Sequence, residues 1–274
     1  ISRRETLVQK VNAVESLAEV IRMTEPKRSM NPVFATKEAQ ATYAKAYHEN
    51  LDSKIDQTEA VVNKFFNGMT DRIIERNKDG FSVDGFIDLV EEKTNAKNII
   101  GGHLKGLIEE HGQEVLQGLF KPQKASISDG EEFVFTDAQQ AKYDERASFL
   151  AGSIVDTAYD KIAPVIADGL AEGAGVEKIG RNLRQHMSEL QVWKARQVAQ
   201  TETGFALSMA TNDAYEQSTV VTGKQWVTVG DSRVRDEHAM NNGVVVDKNG
   251  VFPNGERYPA ERTINCRCVL APAV

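Results

Sequence analysis

The stretch from Thr201-Glu202-Thr203-Gly204-Phe205-Ala206-Leu207 to Gly223-Lys224-Gln225-Trp226-Val227-Thr228-Val229 decides the fold, because the local pattern changes within it. As far as Gln217 the chain reads as helix. From Lys224 it carries the aromatic and β-branched residues of a strand. Val244-Val245-Val246 and the run from Cys266 to Leu270 are two further strand candidates. Between them lie the turn formers Asn241-Asn242-Gly243, Asn249-Gly250 and Pro253-Asn254-Gly255. The carboxy end is therefore expected to be a small irregular β region docked on the helix that carries Glu202. The fold class is mainly α, with a small α+β C-terminal domain.

Upstream of that point the signals are helical. Leu7, Val11, Val14, Leu17 and Ile21 form a stripe over residues 2–23, and Glu25 to Pro32 is a breaker-rich linker. The segment from Thr36 to Asn77 has no proline and a single glycine, Gly68, and predicts one helix far longer than the mean of about 11–12 residues. Such a helix is expected to act as a strut or an interaction surface. Shorter helices are expected near residues 83–92, with Ser82 as N-cap, and over 96–120. The polar stretch Lys121 to Glu132 reads as a domain boundary. Thr136-Asp137-Ala138-Gln139 is a capping box that opens a helix to about Ala171, and Gly173 and Gly175 break it. A short helix over 176–187 is expected next. A second capping box, Ser188-Glu189-Leu190-Gln191, then opens a helix to about Gln217. These signals divide the chain into an N-terminal helix and linker (1–34), an extended helical assembly region (35–132) and a C-terminal domain (133–274).

Composition narrows the function classes. The 274 residues are 41% hydrophobic and 27% charged, with a formal net charge of −7. General phosphate-tracking proteins are usually basic, so wholesale nucleic-acid binding is not the default. Arg181, Arg184, Lys194 and Arg196 form one local basic region, read as a solvated helix face or as an accessory DNA contact. No segment approaches the roughly 20 apolar residues of a membrane span, and Ile1-Ser2-Arg3-Arg4-Glu5 leads into an amphipathic segment rather than a secretory signal. The start at Ile1 fits either processing or an omitted start. Two cysteines in so long a chain suit a reducing cytosol rather than a disulfide scaffold.

Those two cysteines, Cys266 and Cys268, are the strongest chemical feature. Residues two apart in an extended strand face one side. At that separation their Cα atoms lie near the roughly 6.8 Å upper limit for a disulfide. With His238 they make three reasonable zinc ligands, and Asp231 or Asp236 is a candidate for the fourth. The alternative is a pair of small buried residues beside a histidine satisfied by a carboxylate. Asp231 is placed to cap the segment after the first strand, and Arg233 and Arg235 to pair with Glu202 or Glu237 in a salt-bridged corner. A sharper reading makes His238 and Asp231 parts of a hydrolytic site. Trp226 reads as the hydrophobic plug of the small domain, with its indole N–H satisfied nearby. His48, His103, His111 and His186 read as surface or boundary residues of amphipathic helices.

Taken in order, Lys194-Ala195 through Thr201-Glu202, Gly223-Lys224-Gln225-Trp226, Asp231 to His238, Gly243, Tyr258-Pro259 and Asn265-Cys266-Arg267-Cys268 resemble the phage Mu F-like minor head, or head-morphogenesis, proteins. The resemblance is close over roughly the last eighty residues and looser from Thr136. One position departs: the family often has Arg before Thr-Glu, and here it is Gln200. The resemblance implies a protein of a tailed-phage or prophage head that resides at the portal vertex or capsid interior and is made in the host cytoplasm. It implies help with head assembly, DNA packaging or DNA delivery, with the portal protein or major capsid protein as partner, and self-association or phage DNA as further ones. Thr201, Glu202, Trp226, Arg233, Arg235, Gly243, Asn265 and Arg267 are the motif residues expected to hold the domain together. The competing reading is a metal-dependent hydrolase or nuclease acting in packaging or after ejection.

Overall fold

The structure is a computed structural model and describes residues 32–120 and 132–274. The stripe over residues 2–23 and nearly all of the polar stretch 121–132 lie outside the described residues. Helix α1 spans Lys37–Arg76. Helix α2 (Leu89–Ala96) passes through a π-helical turn (Lys97–Gly101) into α3 (Gly102–Phe120). Then come α4 (Asp137–Ala171), α5 (Val176–Gln217), strand β1 (Gly223–Val227), the single turn α6 (Asp236–Ala239), β2 (Val245–Asp247) and β3 (Val269–Ala273). The mainly α architecture with a small C-terminal sheet is thus present.

Local chemistry sets most helix ends. Thr36 caps α1 by accepting from the amide of Ala39 at 3.2 Å. At the other end Asn77 is buried and its Nδ2 donates to the carbonyls of Ile73 and Phe86. The helix expected from residue 83 starts instead at Leu89, capped by Asp88, whose Oδ1 accepts from the amides of Val90 and Glu91. The intervening segment cannot stay helical, because Gly85 has φ +85° and Phe86 is drawn into the core, stacked on Tyr159 at 5.4 Å. The Thr136 capping box forms with Gln139. The box at Ser188 does not: α5 runs unbroken for 42 residues. Ile179, Leu183, Met187 and Leu190 are buried at helical spacing on both sides of Ser188. Continuous packing outweighs a cap worth only about 1 kcal/mol.

Helix α1 is not a free strut. Leu51, Ile55, Val62, Phe65, Phe66, Met69 and Ile73 are buried, and the helix packs mostly against α5. They belong to one hydrophobic cluster that continues through α4 and α5 to Leu270. Helix α5 is the axis of the molecule: every residue from Thr201 to Tyr215 is buried. A helix buried on every face must satisfy its polar side chains internally. Thr203 Oγ1 donates to Thr58 Oγ1 at 2.8 Å, and Thr211 Oγ1 lies 3.1 Å from His111 Nε2. His111 is therefore buried, not a surface or boundary residue.

The sheet has the order β2-β1-β3 and is antiparallel throughout, with Trp226 opposite Leu270 and Lys224 between Val246 and Pro272. Pro272 sits on the outer strand, where a missing amide costs no ladder bond. Residues 32–33 cover that edge through a bridge from Pro32 to Ala273 and the bond Val33 N to Pro272 O at 3.1 Å. Strand β3 begins at Val269 rather than Cys266, so both cysteines lie in the turn before it.

A buried polar network ties the sheet to α5. Lys224, fully buried on β1, donates from Nζ to Asn212 Oδ1 at 2.6 Å, and Asn212 Nδ2 in turn donates to Asp213 and Glu216. Burial pushes the Lys224 ammonium down to about 8. Below that pH both folded and unfolded chains carry the proton, and the fold bears the whole cost of the buried charge. Between about 8 and 10.5 the unfolded chain holds the extra proton, so stability rises with pH across this window. A Lys224→Met protein lacks this rise. Denaturant titrations at the two ends of the window are expected to show the wild type gaining about 2 to 3 kcal/mol relative to the variant, and parallel curves would contradict the assignment.

Candidate metal centre

Three separate segments build the site. His238 lies on α6, which packs against β1 so that its ring meets Trp226 edge-on at 5.1 Å. Cys266 and Cys268 follow Asn265, whose φ of +53° is a left-handed conformation that Asn tolerates better than most residues. Thr201 on α5 donates to Asn265 Oδ1 at 3.5 Å and ties this turn to the central helix. Gly243, at φ +80°, closes the turn under Trp226: its amide donates to the Trp226 carbonyl at 2.8 Å.

The sulfurs of Cys266 and Cys268 lie 3.4 and 3.6 Å from His238 Nδ1, and all three ligand atoms fall within 4.8 Å of one another. A tetrahedral site with bonds of about 2.1–2.3 Å has ligand–ligand edges of about 3.4–3.8 Å. The histidine-to-sulfur spacings fit that figure. The three residues can hold a metal ion. The ring's other nitrogen, Nε2, lies 3.3 Å from Glu256 Oε2, and Glu256 is itself buried. A carboxylate behind the histidine fixes which nitrogen faces the ligand position, as in many metal centres. A cavity of about 20 Å³ adjoins the cluster, room for one water-sized group at a fourth position.

Electrostatics bind the same groups together. Cys266 and then Glu256 raise His238 to about 9. Hydrogen bonding from Cys268, opposed by burial and aided by His238, holds the Cys266 thiol down at about 4. Its thiolate in turn pushes the Cys268 thiol up, as does burial. Burial works to raise Glu256, yet His238, the Arg262 amide and Asn254 together keep it below its ordinary value. The Trp226 indole N–H lies close enough to favour a Cys268 thiolate, although it closes no hydrogen bond. Trp226 is thus the expected plug, but its N–H is turned to sulfur rather than to an oxygen acceptor.

The remaining motif residues sit differently from expectation. Neither Asp231 nor Asp236 joins the cluster. Both Asp231 oxygens accept from Arg267 at 2.6 and 2.7 Å, which holds the carboxylate below its usual range, and Asp231 Oδ1 also accepts from the Arg233 amide. Asp231 therefore ties a turn and does not cap α6. Glu202 pairs with neither Arg233 nor Arg235. Arg146 of α4 holds it at 2.8 and 3.1 Å while stacking over Phe205 at 3.8 Å. Arg233 stays exposed, 3.6 Å from Asp231, and Arg235 donates to the Ile264 carbonyl. Sequence reasoning missed Glu256 and Arg146. Glu256 follows a Pro-Asn-Gly turn that was informative only as a turn. Arg146 lies 56 residues from its partner, and no local spacing links them.

Residues 160–271 match a family model described as Phage Mu protein F like protein. The matched span contains α5, β1, β2, the first residues of β3 and the entire histidine–cysteine cluster. No curated protein and no solved structure matches the chain.

Proposed function

We propose, from the match of residues 160–271 to the Phage Mu protein F like family, that the chain is a minor head protein of a tailed phage or prophage. It resides in the virion at the head interior or portal vertex after assembly in the host cytoplasm. There it assists head assembly, DNA packaging or DNA delivery, with the portal or major capsid protein as partner. The family match is the observation that carries this reading. No helix among the described residues is long and apolar enough to cross a membrane, which fits a particle component.

In the same reading the metal is zinc, held by His238 Nδ1, Cys266 and Cys268, with Glu256 orienting the imidazole. One nitrogen and two sulfurs at tetrahedral spacing are ligands that zinc takes readily. Zinc there ties α6, the loop at Glu256 and the turn before β3 onto the central helix. The unit works as a structural clamp and not as a site of turnover.

Mass spectrometry of purified, nuclease-treated particles from the source strain tests the assignment. A few copies to about a dozen per head is the expected result. Absence from particles that otherwise assemble would overturn it. His238→Ala separates clamp from catalyst: the clamp loses stability and particle yield together, whereas a catalyst gives normal particles that lack infectivity.

A further inference from the structure

A second cavity, of about 480 Å³, opens beside the cluster and shares Cys266 with it. His48 from α1, Gln200 from α5, Arg233, Arg235, Asn265 and Arg267 line it, with Asp52 as its acidic member. We propose that it binds the phosphate group of a nucleic-acid strand.

Four observations carry the inference. First, three arginines from two chain segments line one concave space, within the volume range of small-molecule sites. Second, most of their donors are uncommitted. Arg233 is exposed, with only a 3.6 Å approach to Asp231, and Arg235 gives one N–H to the Ile264 carbonyl. Arg267 alone is ion-paired at close range, to both oxygens of Asp231, which is not among the residues that line the cavity. Third, the buried His48 Nε2 has no hydrogen-bond partner. Fourth, Arg233, Arg235, Asn265, Cys266 and Arg267 line both this cavity and the small one that reaches His238.

Planar forks of donors match phosphate oxygens in pairs, and five N–H groups per arginine make such contacts directional. The basic residues on α5 are a poorer candidate. Arg184 is paired to Asp71, and Arg196 to Asp56 and Glu59, all on α1. The site is assembled by tertiary structure, which explains how a chain of net charge −7 offers a local phosphate site. The inference does not require the metal to be bound.

Fluorescence anisotropy of the full chain with a labelled single-stranded oligonucleotide tests it, with inorganic phosphate and a mononucleotide as competitors. Arg233→Gln and the Arg233→Gln/Arg235→Gln pair are expected to weaken binding by about tenfold per lost contact at unchanged melting temperature. The slope of log affinity against log salt should fall by about 1.4 in the double variant. Arg181→Gln, at an exposed position near the start of α5, should leave binding unchanged. Competition by the mononucleotide at matching affinity supports the pocket, with a free phosphate ester as its occupant. Undiminished oligonucleotide binding by the double variant, loss of binding in Arg181→Gln, or no binding of any phosphate probe by the wild type at low salt would each overturn the proposal. Because Arg233 is exposed, its single variant keeps the test valid if the double variant fails to fold.

Discussion

Cys266→Ser and Cys268→Ser proteins are expected to purify without metal, while the wild-type chain retains about one zinc equivalent. The reason is geometric. The proposed clamp would have three protein ligands, and removing one sulfur would leave two beside an exchangeable position. Structural zinc contributes about 10–16 kcal/mol of apparent binding energy in small zinc domains near neutral pH, so even a fraction of that dominates the C-terminal unit. The variants should melt well below the wild type. A strong chelator should bring the wild type down to their level and leave them unmoved. Glu256→Gln keeps all three ligands but loses the charge behind His238, and its metal affinity should fall by about 10–100-fold. Metal content measured by elemental analysis decides the matter: equal zinc in the wild type and both thiol variants removes the clamp from this site.

Trp226→Ala is expected to cost about 3–5 kcal/mol. Trp226 is fully buried on the central strand, between His238 at 5.1 Å and Phe252 at 5.0 Å, both edge-on. Its removal leaves a void where β1, α6 and the loop before residue 256 meet. None of these short elements can collapse into the void without moving His238. The melting temperature should fall by roughly 10 °C, and metal retention should weaken with it. A loss under about 1 kcal/mol in urea titration would show that the indole is not the plug of this unit.

The sequence by itself determined the elements whose signals are local. The Thr36–Asn77 helix, the Thr136 capping box and the change from helix to strand near Gly223 follow from spacing and capping chemistry, which act within a few residues. The cluster of His238, Cys266 and Cys268 was legible too, because those residue types are scarce in this chain and lie close together in it. Tertiary structure alone decided the rest. It overrode the Ser188 box, since a stripe buried along both sides of a residue outweighs one cap. It delayed α2 to Leu89, since Phe86 gains more from the core than from a helical turn. It sent Asp231 to Arg267 instead of the histidine–cysteine cluster, and gave Glu202 an arginine from another helix. It brought Glu256 behind His238 and gathered three arginines and His48 around one cavity. Ion pairing and ligand geometry depend on distances across space, and no period along the chain encodes them.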